Sequence, residues 1–275
     1  MNFLNQISVL ILTYNEAPNI GRTLAALARF TDVIVLDSGS TDGTTDLVAQ
    51  FSNARLAIRP FDEHATQWNY GLSHCNIERP WVLALDADYL LPGVLVDEIA
   101  ALRPADIDSG YQASFRYCIH GRSLSASLYP AHVVLFRKAR AHYVQEGHTQ
   151  RVVVEGRIGA LKACIDHDDR KPLVRWLLSQ QRYARLEAEY LMSLPKRKLQ
   201  LVERIRLTGI LGPLIVLLYT LIAKRCILDG WAGWLYVLQR TLAETMIAAE
   251  LVDRKLARRS RSEDAKAART GTNVE

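Results

Sequence analysis

Short apolar runs that stop abruptly at polar clusters constrain this chain more than any other feature. Ile7-Ser8-Val9-Leu10-Ile11-Leu12 runs into Thr13-Tyr14-Asn15-Glu16. Val33-Ile34-Val35-Leu36 ends at Asp37-Ser38-Gly39-Ser40-Thr41-Asp42-Gly43, and Trp81-Val82-Leu83-Ala84-Leu85 runs straight into Asp86-Ala87-Asp88. Leu56-Ala57-Ile58 reads as a further strand. Between them, apolar residues recur at helical spacing: Ile20, Leu24, Leu27 and Phe30, then Leu47 and Phe51, then the segment from Trp68 to Cys75. Uniformly apolar strands alternating with helices predict an α/β fold, a mostly parallel sheet covered by helices on both faces. Such sheets bind ligands beyond the carboxyl ends of their strands, which is where the three polar clusters stand.

A chain of 275 residues can bury one good-sized core, or a core with a smaller appendage. Its 49% hydrophobic and 23% charged content excludes global disorder. The start, Met1-Asn2-Phe3-Leu4-Asn5-Gln6, lacks a basic region before an apolar run, so no cleavable signal peptide is expected. Cys75, Cys118, Cys164 and Cys226 are far apart with no C-x-x-C spacing, and are expected to be reduced structural residues in the cytosol. Charge is divided unevenly. Residues 1–166 carry 14 Lys/Arg against 17 Asp/Glu, and residues 167–275 carry 20 against 12. A basic C-terminal part suits nucleic acid or an anionic membrane alike, and the apolar pattern there has to decide between them.

Each polar cluster has an ordinary reading. Ser40-Thr41-Asp42 can cap a helix, and that reading is preferred for Asp42. A lone Asp-x-Asp is common in turns. Together, at the ends of three strongly apolar strands, they suit a different task. A nucleoside diphosphate leaving group needs its charge neutralised, and a hard divalent cation held by a few carboxylates does this while sharing oxygens with the phosphates. No G-x-x-x-x-G-K-S/T and no G-x-G-x-x-G follows the first strand, which argues against a P-loop NTPase and a Rossmann dehydrogenase.

Leu12-Thr13-Tyr14-Asn15-Glu16, Leu36 through Thr44, Gln67-Trp68-Asn69 and Leu85-Asp86-Ala87-Asp88 together resemble family 2 glycosyltransferases of the GT-A fold, in order and spacing, over roughly the first hundred residues. The resemblance is strongest to the membrane-associated group that includes lipopolysaccharide-core glucosyltransferases. It implies an inverting transferase that uses a nucleotide-sugar, most often a UDP-sugar, with Mg²⁺ or Mn²⁺. Thr13, Tyr14, Asn15, Glu16 and Asp37 would contact the nucleoside, with Ser38, Gly39, Gln67 and Asn69 in the same donor-binding set. Asp86 would serve the ribose and the metal, and Asp88 would be a direct metal ligand. The chain departs from the family pattern at Ser38, where a second aspartate is frequent, and at Tyr89, where the group usually has glutamate.

Residues 110–166 read as short strands: Tyr111 to Ile119, His132 to Arg137 and Gln150 to Val154. This part is expected to hold the acceptor. An inverting transfer needs a general base near the acceptor hydroxyl, and Val144-Gln145-Glu146-Gly147-His148-Thr149 offers two candidates. Glu146 is favoured because a carboxylate is the usual base in this family. His148 is the second candidate, and a surface glutamate beside a turn glycine is the plain alternative. In Ile165 to Lys171, resemblance to GT-A enzymes with a late histidine in the metal shell makes His167 a third metal ligand. Arg170 and Lys171 either neutralise the diphosphate or begin a solvated helix.

Beyond Arg170 only helical patterns remain. The expected division is a catalytic domain over 1–170, a helical membrane-associating region over 171–258, and a charged flexible tail over 259–275. Leu207 to Ala223 has no charge over 17 residues, about 26 Å as one straight helix and short for a hydrocarbon core of about 30 Å. Gly209, Gly212 and Pro213 favour a kinked or shallow segment. Trp231 to Leu251 is a second apolar stretch, with Trp231, Trp234 and Tyr236 suited to a headgroup boundary. Amphipathic helices lying in the inner leaflet, at the cytoplasmic face of the inner membrane, are preferred over a hairpin packed on the core or on another subunit. Nucleic acid is not an expected partner. The leading expectation is therefore a transferase acting on a lipid-linked or envelope glycan. Nucleotidyl transfer and a non-catalytic membrane scaffold on a degenerate transferase fold are the alternatives.

Overall fold

A computed structural model describes residues 2–146 and 149–271, with the side chains at 146, 149, 196 and 262–271 left undescribed. The chain forms two compact units, Met1–Lys171 and Pro172–Glu275.

The first unit opens with alternating elements: β1 (Ile7–Thr13), α1 (Ile20–Ala26), β2 (Val33–Asp37), α2 (Thr44–Val48), β3 (Ala54–Ile58), α3 (His64–His74) and β4 (Trp81–Asp86). A two-residue β5 (Tyr89–Leu90) and α4 (Gly93–Ala101) follow. Then come β6 (Asp108–Ala113), β7 (Phe115–Ile119), β8 (Arg122–Ser123) and β9 (His132–Arg137). The unit closes with β10 (Ala141–Glu146), β11 (Thr149–Val154), β12 (Arg157–Ala160) and β13 (Ile165–His167).

The principal sheet has the order β12-β6-β9-β4-β1-β2-β3. β4, β1, β2 and β3 run parallel to one another, and β9 lies antiparallel between β4 and β6. The two faces can be read from the strands residue by residue. Ile7, Val9 and Ile11 of β1, Val33 and Val35 of β2, and Trp81, Leu83 and Leu85 of β4 join one buried cluster with Ile20 and Leu24 of α1 and Leu95 and Ile99 of α4. The intervening Leu10, Ile34, Leu36, Val82 and Ala84 join the other, with Trp68 and Leu72 of α3. Successive strand side chains point to opposite faces, so a strand with core on both sides has to be apolar throughout. Each such side chain contributes roughly 1.5–3 kcal/mol of burial.

Two expectations are corrected. Tyr111 to Ile119 is not one strand: the chain leaves the principal sheet at Ser114, whose carbonyl accepts from Ile165 N at 3.0 Å, and β7 enters a second sheet of order β5-β13-β7-β8. The helices at Phe30 and Phe51 end early, at Ala26 and Val48, and both phenylalanines lie in turns.

The second unit is helical: α5 (Leu173–Ser193), α6 (Leu201–Arg206), α7 (Leu211–Leu218) and α8 (Gly230–Gly271). The uncharged stretch from Leu207 is not one helix. It breaks at Gly209, which has φ +85°, before α7 begins, and a wide turn over Tyr219–Ala223 follows. Helical backbone continues to Gly271, beyond the start of the expected tail. No single helix among the described residues is long and apolar enough to cross a membrane. α8 begins against a tight corner: a Cβ on Gly233 would lie 1.9 Å from the carbonyl oxygen of Cys226. Gly233→Ala is expected to cost about 3 kcal/mol or more through overpacking against rigid backbone. Gly21→Ala, in α1 with nothing within 4 Å of its Cβ, is expected to be neutral or to stabilise by up to about 1 kcal/mol. Urea unfolding of both variants reads the contrast; equal effects would show that the corner at Gly233 is not tight.

Candidate active site

The parallel registers Leu12↔Asp86 and Thr13↔Asp37 bring three strand ends together. Thr13 Oγ1 donates to Asp37 Oδ1 at 2.8 Å, and Ser40 Oγ donates to the same oxygen at 2.5 Å. Gly39 N and Ser40 N donate to Asp37 Oδ2 at 2.9 and 2.7 Å. Four donors saturate this fully buried carboxylate. Asp37 thus shapes the loop after β2. The loops after β1 and β2 are laced together. Asn15, in the left-handed region at φ +55°, donates N–H to Ser40 Oγ at 2.7 Å and accepts from Thr41 N at 2.7 Å. Asp42 accepts from Thr44 N and Thr44 Oγ1 at the start of α2, and from Ala17 N. Its capping role is the structural one preferred from sequence. Tyr14 stands exposed between these bonds.

Beyond β4, Asp88 is buried and faces His167, with Oδ2 3.3 Å from Nε2. Burial works against the Asp88 charge, but the His167 imidazolium holds the carboxyl below its ordinary range. Burial likewise pulls His167 down, and Asp88 outweighs it, so the ring's pKa is raised. Asp86 goes the other way, its pKa raised by burial and by the Asp88 charge, although the Tyr89 hydroxyl donates to it. Two adjacent carboxylates are therefore unequal, one held charged and one pushed toward its neutral form. The second sheet explains why His167 is here. It is in register with Tyr89 of β5 on one side and Tyr117 of β7 on the other. Edge contacts to Tyr117 and Tyr129 at 4.9 and 4.6 Å between ring centres complete its surround. The substituted Tyr89 is thus part of the wall that holds His167.

The segment after β13 is stitched to the loop after β1. Asn19 Nδ2 donates to Glu16 Oε2 at 2.9 Å and to Asp169 Oδ1 at 2.8 Å, while Arg170 N donates to Asn19 Oδ1 at 2.8 Å. Lys171 Nζ donates to Glu16 Oε1 at 2.6 Å. Burial pushes the Glu16 carboxyl up to about 7, against the opposing effect of Lys171. Lys171 is held protonated, because Glu16, Asp88 and Asp169 outweigh its burial. The Arg170 guanidinium pairs with buried Asp168 at 2.7 Å, which also accepts from Arg22 Nη1 at 2.9 Å, and the residue lies ahead of α5 and not in it. Sequence reading missed Asn19 and Arg22, which look like ordinary first-turn residues of α1. Their one signal is the acidic Asp168-Asp169 pair, which needs partners.

At the other edge, Gln67 is fully buried, donates to Ser38 Oγ at 3.2 Å, and accepts from Arg59. The Asn69 amide donates to Tyr143 O at 2.9 Å and accepts from Tyr143 N at 2.8 Å, which pins β10 to α3. Trp68 stacks on Tyr143 at 5.1 Å. Tyr143 in turn lies near enough to Asp86 for that charge, after burial, to raise its pKa. Glu146 ends β10, paired across the hairpin with Thr149. Its side chain and all of His148 lie outside the described residues.

Asp88 Oδ1 and His167 Nδ1 are buried without a hydrogen-bond partner. Among the described residues, no three His, Cys, Asp or Glu are grouped so as to hold a metal alone. Mg²⁺-type ions commonly take one or two carboxylates and complete their shell with substrate phosphates and water. A carboxylate with an unused buried oxygen beside an imidazole fits such an ion, with Asp86 as the adjoining carboxylate.

The mostly parallel sheet thus gathers Asp86, Asp88 and His167 beyond the end of β4. The chain belongs to glycosyl transferase family 2, whose family model matches residues 8–117. Over 206 residues it is 30% identical to the lipopolysaccharide core biosynthesis glycosyltransferase LpsC of Rhizobium meliloti (strain 1021), covering 70% of this chain and 73% of LpsC. Over 95 residues it is 38% identical to an uncharacterized glycosyltransferase of Rickettsia conorii, covering 34% of this chain and 33% of that protein. The crystal structure of S. aureus TarS 1-349 aligns over 86% of this chain and 90% of its own, with 15% identity and a TM-score of 0.40.

Glu16 provides a pH test. Its folded pKa of about 7 lies above the ordinary 4.5, so the folded state holds the extra proton in that window. The associated stability is present below about pH 4.5 and is lost as pH rises toward 7, by up to roughly 1.4 kcal/mol per pH unit. Glu16→Gln is expected to flatten this slope, whatever it does to absolute stability. Urea unfolding from pH 5 to 7.5 measures it; identical slopes would show that Glu16 does not titrate there.

Proposed function

We propose that this family 2 glycosyltransferase moves a sugar with inversion from a nucleotide-sugar, a UDP-sugar in the first instance, to a lipid-linked glycan of the cell envelope. The observation that carries the reading is Asp88: a buried, charged carboxylate with one oxygen unused, beside His167 and beyond the end of β4. Mg²⁺ or Mn²⁺ held by Asp88 and His167, with Asp86 adjoining, would supply charge neutralisation for the departing diphosphate. Lys171, held protonated, adds positive charge beside Asp88. Thr13, Asn15, Ser38 and Gln67 line the nucleoside end. Asp37 supports it indirectly, by fixing the loop that carries Ser38 and Gly39.

Glu146, at the end of β10, takes the proton of the acceptor hydroxyl in this reading, with His148 as the second candidate. Asn69 and Trp68 serve that step by fixing β10 against α3. The acceptor class follows LpsC, whose name places it in lipopolysaccharide core biosynthesis. In this reading the enzyme works at the cytoplasmic face of the inner membrane, with the 172–275 unit toward the anionic surface. An unused buried carboxylate oxygen is better suited to an enzyme than to a degenerate scaffold, since it is costly to keep without a ligand.

The test is a thermal-shift screen of nucleotide-sugars with and without Mn²⁺. One donor is expected to stabilise the chain only with metal present, by about 3 kcal/mol at a hundredfold excess over Kd. Asp88→Asn is expected to abolish that shift and to reduce transfer at least a hundredfold. Stabilisation by no donor, or an Asp88→Asn variant with unchanged response, would end this reading.

A further inference from the structure

The helical unit has an exposed face of a kind that water does not favour. Along α7 and the turn after it, exposed positions come in adjacent pairs four residues apart, and all are apolar: Ile210 and Leu211, Leu214 and Ile215, Leu218 and Tyr219. The first turns of α8 repeat this at Trp231, Trp234, Leu238 and Leu242, the spacing of one helix face. Trp231 is 85% exposed and Leu228, just before it, 75%. A helix on a water-facing surface normally shows the reverse pattern, polar outward and apolar inward. Contiguous apolar surface of this extent marks a contact surface.

Charge identifies the partner. No acidic residue occurs from Leu207 to Leu228, and the only charges there are Lys224 and Arg225. Both sit at the break between two helical stretches, Leu211–Ala223 and Cys226–Arg261, which are bent by 68°. Lys224 Nζ lies 5.6 Å from the Tyr219 ring centre, an ammonium placed beside the apolar stripe. An apolar stripe edged by Lys224, Arg225 and aromatic rings, with Asp229 the one acid between Leu207 and Leu242, is complementary to an anionic lipid surface.

The position of those two charges also settles depth. The bent pair is long enough to cross a bilayer as a broken span, but crossing would carry Lys224 and Arg225 into the hydrocarbon, where charge is strongly disfavoured. Lying flat leaves both among the lipid phosphates while the apolar faces of α7 and early α8 sink into the acyl boundary. We propose that the α7–α8 elbow is a monotopic anchor: it lies in the plane of one leaflet of an anionic bilayer, Lys224 and Arg225 at the headgroups, and does not cross. This rests on the membrane-held acceptor of the proposed function, and deepens it by naming the surface and its depth.

The full chain is tested by flotation with vesicles of phosphatidylcholine alone and with one-third phosphatidylglycerol. Binding is expected to the anionic vesicles, at least tenfold weaker to the neutral ones and reduced by salt. The pair Leu214→Asp with Leu218→Asp, and separately Trp231→Ser, should each lower the bound fraction at least tenfold while leaving the donor-induced thermal shift intact. All three positions are exposed, and that thermal shift confirms that the variants fold. For depth, Arg225→Cys is expected to react with a membrane-impermeant maleimide added outside the vesicles, above the level of the parent chain. Protection of that cysteine would mean a span and overturn the proposal. So would absence of flotation, or a stable dimer dissolved by Leu214→Asp, which would make a second copy of the chain the partner. In the parent chain, no flotation with the donor shift present defeats the anchor alone, and flotation without any donor shift defeats the transferase reading alone.

Discussion

When β1 pairs with β2 through Thr13↔Asp37 and with β4 through Leu12↔Asp86, three loops remote in sequence must leave the sheet at one edge. The polar clusters after β1, β2 and β4 inherit their positions from that pairing. The strands can hold this register because they are apolar on both faces, and a slip of one residue would exchange every side chain between two distinct cores. Ile7, Val9 and Ile11 face one cluster and Leu10 the other. The loops then need only short-range bonds, and Asp37 with its four donors provides most of them.

A second constraint acts on the return of the chain. The segment His167 to Lys171 carries five consecutive ionisable side chains, and crowding them beside Asp86, Asp88 and Glu16 would be unfavourable without partners. The structure divides the load. Arg22 and Arg170 share Asp168, Lys171 takes Glu16, Asn19 takes Asp169, and His167 takes Asp88. Each anion but Asp86 thus has a cation or amide, and Asp86 has the Tyr89 hydroxyl. In this cluster one oxygen of Asp88, one nitrogen of His167 and Nε of Arg22 are left without a hydrogen-bond partner.

The helical unit is held by a different device. Arg206 bridges Glu187 of α5 and buried Glu244 of α8, at 2.9 and 2.5 Å. Replacing either carboxylate would leave a half-buried guanidinium short of a partner, which fixes how α5, α6 and α8 meet. This polar lock lies inside, while much of the apolar surface of α7 and early α8 lies outside.

By itself the sequence determined the α/β class, the four parallel strands with the clusters at their ends, the Asp-x-Asp, and the family. All of these are local patterns of polarity along one stretch of chain, and β1, β2 and β4 fall within a residue of where the apolar runs end. It also pointed to His167, through resemblance and not through geometry. Only the tertiary structure decided what the side chains do with each other. Asp37 and Asn69 bond to Ser40 and Tyr143, and Arg170 pairs with Asp168. Asn19 and Arg22 turn out to hold a segment far along the chain. A hydrogen bond between distant residues is set by where two elements pack. No periodicity records that, so the Asp86-Ala87-Asp88 triplet is legible as a motif while its partners are legible only in the fold.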